Sequence, residues 1–259
     1  MSTTSERSEK KYLPASNRYH LTLDTVKKFA PVYMFAKDQP VTHLRTVYFD
    51  NETFDTYYAW LNREPVRYKV RYREYGYDAK FPDDVWMELK IRNHALSQKK
   101  RFRIRREHLE KFISGQDVLK EVLKENKKNP DIVNTYTTIQ GYIMSNRLKP
   151  ILTIEYRRVS FQPSEDSDVR ITLDKDIVMR NLVTGQVAKH NCVVLETKVS
   201  GPRTPLWLND LIEELGTTRD VRFSKFALGI QSLFLGEPES RLSEAREECA
   251  PRKVSPATA

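Results

Sequence analysis

Apolar and charged residues alternate strictly along several stretches of this chain, and the alternation predicts strands whose two faces differ sharply. Over 66–73, Val66, Tyr68, Val70 and Tyr72 interleave with Arg67, Lys69, Arg71 and Arg73. Side chains two apart on a strand share a face, so the four cations point one way and the apolar residues the other. A second run sets Glu88, Lys90 and Arg92 against Val85, Met87, Leu89 and Ile91. A third sets Lys99, Arg101 and Arg103 against Phe102 and Ile104. Further on, Arg158 shares a face with Tyr156, and Arg170 with Thr172 and Asp174. Glu196 shares one with Lys198, backed by Val193, Leu195 and Val199. The patterning predicts strands near 44–49, 66–75, 85–92, 99–105, 151–161, 168–174, 177–180 and 192–199.

Helical spacing appears around 24–35, where Asp24 is placed to cap the start and Val26, Phe29, Ala30 and Tyr33 recur at the right interval. It returns from Glu107 to about Leu148, in pieces broken at Gly115 and at Asn129-Pro130. Two more helices are expected over 205–215, with proline in the first turn, and over 223–234. Strands with helices set apart from them give an α+β domain around a largely antiparallel sheet. No Gly/Ser-rich or Pro-rich linker interrupts it. One domain is expected over 9–236, between a polar leader at 1–8 and a core-poor tail at 237–259.

The charges change this picture from ordinary to specific. A merely solvated strand face mixes signs to avoid cross-strand repulsion, whereas these faces are skewed to one sign. If helices cover the apolar faces, the cations line the interior of a closed or nearly closed barrel. Two like charges in contact cost about 4 kcal/mol at an effective dielectric of about 20, and a bound polyanion relieves that strain. The 259-residue chain carries a net charge of +9, which favours anionic partners. No apolar run is long enough to span a bilayer and the N-terminus lacks a signal-like apolar stretch, so a cytoplasmic location is expected. A membrane-embedded partner protein is compatible with that placement. The two cysteines, Cys192 and Cys249, lack metal-ligand spacing, and neither a disulfide nor a zinc site is expected.

Nucleophilic and nucleotide-fold signatures are missing: there is no P-loop, G-x-G-x-x-G, G-x-S-x-G or H-E-x-x-H. The five histidines are scattered. What the residues do support is phosphate chemistry, in which cations hold non-bridging oxygens and carboxylates hold a divalent metal. Glu88 and Glu196 lie on the cationic faces, each two residues before a lysine (E-L-K and E-T-K), and E-K-K at 9–11 repeats the pattern.

Taken in order, EKKYL at 9–13, VYFDN at 47–51, RYKVRYREYG at 67–76, MELK at 87–90 and KKRFRI at 99–104 resemble the VTC (vacuolar transporter chaperone) polyphosphate polymerase domain of the triphosphate tunnel metalloenzyme superfamily. IEYRRVSF at 154–161, VRITLD at 169–174, VLETK at 194–198 and RFSKFALGI at 222–230 continue the resemblance. It implies a closed antiparallel β-barrel forming a tunnel, with helices packed outside. It also implies a manganese- or magnesium-dependent transfer of the γ-phosphoryl group of ATP onto a growing polyphosphate chain. By motif, Lys11, Arg71, Arg73, Lys90, Lys99, Arg101, Arg158 and Lys198 would bind phosphates, with Lys90, Arg158 and Glu196 at the chemistry. Glu196 would hold the metal, with Glu88 as a second carboxylate, and Lys225 would contact nucleotide phosphates or the exiting chain. Periodicity selects Lys99 and Arg101, but a one-residue slip selects Lys100, and Arg157 competes with Arg158 in the same way.

Two other readings stand beside this one. A hydrolase of the same superfamily would use almost the same lining, with water in place of the phosphate acceptor. A non-catalytic polyanion-binding module is the third, although most of the 13 tyrosines fall opposite the cations, away from any nucleic acid they would stack on. No specific nucleic-acid partner is expected.

Overall fold

The computed structural model describes residues 7–236 apart from 79, 95, 164–167, 202, 218, 221 and 222, together with 252–253. Most of the expected leader and tail lie outside the described residues. Strand β1 (Arg7–Tyr12) begins two residues before the expected domain start. Helix α1 (Tyr19–Phe29), β2 (Val41–Asp50) and α2 (Asp55–Leu61) follow. The three cationic runs form β3 (Val66–Gly76), β4 (Asp84–Asn93) and β5 (Leu96–Arg105). Helices α3 (Arg106–Ile113), α4 (Leu119–Glu125) and α5 (Ile132–Ser145) are separated near Gly115 and Asn129-Pro130. Then come β6 (Lys149–Phe161), β7 (Val169–Asn181), β8 (Val187–His190) and β9 (Val194–Ser200). Helices α6 (Leu206–Leu215) and α7 (Lys225–Ile230) close the domain.

The strands run in the order β1-β9-β7-β6-β2-β3-β4-β5, and the ladders β1–β9, β9–β7, β7–β8, β3–β4 and β4–β5 are antiparallel. This is the expected α+β antiparallel architecture. The order has two ends, β1 and β5, so the ladders among the described residues form an open path rather than the expected closed ring. Two compact units make it up, one from 1–43, 155–180 and 186–259, the other from 44–154 and 181–185.

Each unit has its own core on the apolar face of its strands. In the second unit Val70, Val85, Met87, Leu89, Phe102 and Ile104 pack with Leu109 and Phe112 of α3, Val122 of α4, and Tyr136, Ile139 and Ile143 of α5. In the first, Val159, Phe161, Ile171, Leu173, Leu195 and Val199 pack with Val26 of α1 and with Leu208, Leu211 and Leu215 of α6. Burying a side chain of this size contributes about 1.5–3 kcal/mol, enough to hold helices against strands that carry repelling charges behind them.

Three local features depart from the sequence reading. Helix α1 starts five residues early, and Asp24 bonds Lys27 at 3.2 Å instead of capping. Helix α2 was not expected; buried Asp50 creates it by accepting from the amides of Thr56 at 2.9 Å and Tyr57 at 3.1 Å. Cys192 is buried and disulfide-bonded, against expectation.

Gly76 ends β3 where the next turn folds back on it. A Cβ there would lie 2.4 Å from the Lys80 carbonyl oxygen and 2.8 Å from the Phe81 ring. Since the first neighbour is backbone, Gly76→Ala is expected to cost about 1–3 kcal/mol, read as a lower urea midpoint with unchanged slope.

Candidate functional site

The second unit presents a lattice of cations on the face of β3–β5 opposite its core. Antiparallel register puts Lys69 opposite Lys90 and Lys90 opposite Lys99, three lysines abreast. The next row is Arg71–Glu88–Arg101, and the one beyond it Arg73–Trp86–Arg103. Directly opposed residues lie only about 4.5–5.5 Å apart at Cα, and like charges there are destabilising. Lys100 falls opposite Leu89, on the core side, where it pairs with Asp131, the residue before α5, at 3.8 Å. The lattice therefore contains Lys99 and Arg101.

Glu88 is the anion at the lattice centre, and its side chain is 1% exposed. Its Oε2 accepts from Arg71 at 2.7–2.8 Å, while Oε1 lies 3.7 Å from Lys99 and 4.0 Å from Arg101 without a hydrogen-bond partner. Burial pushes this carboxyl up, but Arg71, Arg73 and Lys99 together bring it down to about 2. Because the folded value lies below the ordinary one, the stabilisation is full above pH about 4.5 and is lost as pH falls towards 2. Acid unfolding of wild type should therefore be steeper across that window than that of Glu88→Gln. A pair of parallel curves would remove Glu88 as the group responsible. Beside it, Arg71 reaches the Tyr48 hydroxyl at 3.4 Å, and Arg73 donates to Thr46 Oγ1 at 3.0 Å.

The first unit gathers a different arrangement, in which acids are interleaved with the cations. β1 sets Lys11 opposite Glu196 and Glu9 opposite Lys198; β7 sets Thr172 opposite Glu196 and Arg170 opposite Lys198. Asp174, 0% exposed, takes both arms of Arg158 at 2.6 and 2.8 Å, and Lys225 Nζ at 2.6 Å. Arg158 and Lys225 also lie over the Tyr156 ring, at 5.4 and 4.7 Å. Ser224 caps α7 by accepting from Ala227, which fixes the backbone that carries Lys225. Arg157, on the opposite side of β6, pairs with exposed Asp176.

Glu196 is bonded to Lys198 and nearly buried. Burial raises its carboxyl, but Lys198, Lys11, Arg158 and Lys225 hold it well below the usual range, so it stays an anion. Lys11 reaches the Phe223 carbonyl at 3.3 Å. Across the ladder Thr172 Oγ1 is buried without a hydrogen-bond partner. Among the described residues no three His, Cys, Asp or Glu side chains gather into a metal cage.

The second unit thus places Arg71, Arg73, Glu88, Lys90, Lys99 and Arg101 on one strand face. The first places Lys11, Arg158, Glu196, Lys198 and Lys225 together. Sequence reasoning does not single out Thr46, Tyr48, Trp86 or Ser224, and it places Asp174 only on a strand face with Arg170 and Thr172. Parity with Arg170 was the signal available for Asp174; its partner Lys225 is 51 residues away.

A family model described as VTC domain matches residues 6–234. "Vacuolar transporter chaperone complex subunit 4" of Trypanosoma brucei brucei is 27% identical over 253 residues, covering 83% of this chain and 32% of that protein. The protein of the same description in Schizosaccharomyces pombe is 23% identical, covering 80% and 33%. "Vacuolar transporter chaperone complex subunit 2" of Saccharomyces cerevisiae is 24% identical, covering 74% and 31%. The chain spans about a third of the length of these relatives.

Proposed function

Because the chain belongs to the VTC domain family, we propose that it is a polyphosphate polymerase, transferring the γ-phosphoryl group of ATP onto the end of an inorganic polyphosphate chain. The observation that carries this reading is the row Lys69–Lys90–Lys99, with arginines two residues on along β3 and β5. Such a lattice suits a ligand with closely spaced negative charge along its length. An isolated carboxylate or a single phosphate would leave most of it unneutralised.

In the transfer, a terminal oxygen of the acceptor chain attacks the γ-phosphorus in line. The bond from that phosphorus to the β–γ bridging oxygen breaks, and ADP leaves. Charge builds on the non-bridging oxygens, and Lys90 and Arg158 are assigned to neutralise it. Arg158 is pre-set for this role by its two bonds to Asp174, so little reorganisation is needed during reaction. Lys11, Arg71, Arg73, Lys99, Arg101, Lys198 and Lys225 are assigned to bind the remaining phosphates.

The donor set of the first unit fits a divalent ion that also takes phosphate oxygens. Magnesium and manganese accept one or two carboxylates and complete their shell from substrate and water. Glu196 is an ionised oxygen donor with the unpartnered Thr172 Oγ1 across the ladder. When bound, the ion supplies further neutralisation of phosphate charge. Glu88 is already engaged by Arg71 and flanked by Lys99 and Arg101, so it first serves to space the cations.

No helix among the described residues is long and apolar enough to cross a membrane. The reading places the catalytic domain in the cytoplasm, where ATP is supplied. The test is incubation with ATP and Mn²⁺, with and without a short polyphosphate primer, and separation of the products on a gel. The expected result is ADP together with a ladder of long chains sensitive to polyphosphatase. Orthophosphate without polymer would assign the site to hydrolysis, and intact ATP would remove turnover.

A further inference from the structure

Trp86 lies on the wrong face of β4 for a core residue. Val85, Met87 and Leu89 are buried beneath the helices, whereas Trp86 shares the charged face with Glu88, Lys90 and Arg92. It is half-buried there, in register between Arg73 and Arg103. The Arg101 guanidinium carbon sits 4.4 Å from the indole ring centre, and that of Arg103 5.9 Å away.

We propose that Trp86, with the Arg101 guanidinium stacked on it, is the seat of the nucleobase of a nucleoside triphosphate. Indole faces and guanidinium planes are the two surfaces on which unpaired bases stack most readily. The seat stands beside the phosphate-binding lattice. Trp86 is two residues from Glu88 and four from Lys90 on one strand, about 7 and 14 Å at roughly 3.4 Å per residue. A base at Trp86 therefore leaves its triphosphate to run over the Arg71–Arg101 row towards the three lysines. The inference rests on the phosphate-transfer reading for the position of the triphosphate. It adds what that reading lacks, a means of telling a nucleotide from a base-free phosphate chain.

The test compares two ligands, β,γ-imido-ATP and inorganic tripolyphosphate, by titration calorimetry of the full chain with Mg²⁺. Trp86→Leu is expected to weaken the nucleotide about tenfold or more, as loss of one stacked base does. Tripolyphosphate should change by less than about twofold, and Trp86→Phe should keep most of the nucleotide affinity. In the wild-type protein the nucleotide should quench tryptophan fluorescence and tripolyphosphate should not. Equal weakening of both ligands would mean that Trp86 only props Arg101 and Arg103, and the nucleobase seat would fall. Unchanged nucleotide affinity would also overturn it. A wild-type protein that binds neither ligand would remove the phosphate-binding reading itself.

Discussion

Asp174→Ala is expected to lower the stability of the domain by about 3–5 kcal/mol, the usual result of stripping one partner from a buried charge group. Asp174 is fully buried, and it is the anion for Arg158 and Lys225, whose side chains are only 14% and 10% exposed. Burial pushes its carboxyl up, but Arg158 and then Lys225 bring it below the ordinary value. Its removal leaves two cations facing each other in a poorly solvated space. Whole domains are stable by only about 5–15 kcal/mol, so the loss is large. Urea unfolding of Asp174→Ala, with Asp174→Asn as the shape-preserving partner, would show it. The same titration with tripolyphosphate present carries the argument further. An anion that binds the folded form should restore part of the lost stability, by an amount that grows with the logarithm of its concentration above Kd. A variant as stable as wild type would mean that solvent reaches the arginine.

Lys90→Glu should do the opposite to stability and remove activity. The new carboxylate would stand in register between Lys69 and Lys99, turning two like-charge contacts into two attractive ones. The melting temperature should stay level or rise by a few degrees. Phosphate transfer should fall by at least about a hundredfold, because a negative charge now meets the transferring group. Arg158→Glu makes the contrast: its carboxylate would press against Asp174, so it should lose both stability and turnover. Thermal melts and initial rates on the two variants read all four quantities. Retained turnover in Lys90→Glu would sink the role given to the lysine row. Opposite signs for stability and activity are what a ligand-binding lattice produces and a merely solvated face does not.

Much of this lattice was legible in the sequence, because strand parity is a local property. Once Val70, Leu89 and Phe102 face the core, Arg71, Glu88 and Arg101 must face away from it, and no tertiary information is needed. Register across strands is different. That Lys69, Lys90 and Lys99 stand abreast depends on two turns, and parity alone allows either shifted or aligned rows. Chain-distant partners were less legible still. Asp174 meets Lys225 through a loop and a short capped helix, and nothing in the spacing of ITLD and FSKF reports that contact. Strand β7 shows a further limit: it runs unbroken from Val169 to Asn181 through Asp176, which adopts a positive φ of 55°. The sequence reading broke the strand there because the alternation falters. The disulfide at Cys192 leaves no periodic trace either.

The pairing of β1 with β9 has a bearing on how the protein is made. Glu9 and Lys11 find their partners, Lys198 and Glu196, nearly two hundred residues later in synthesis. At about 5–20 residues per second the first strand waits roughly 10–40 s before its ladder can form. An unpaired strand held that long is open to adventitious pairing with other nascent chains. RSEKKY is well suited to the delay, because its charges discourage edge-to-edge association. The charges of β1 thus also guard the growing chain, and the first unit cannot be completed until β9 has been made.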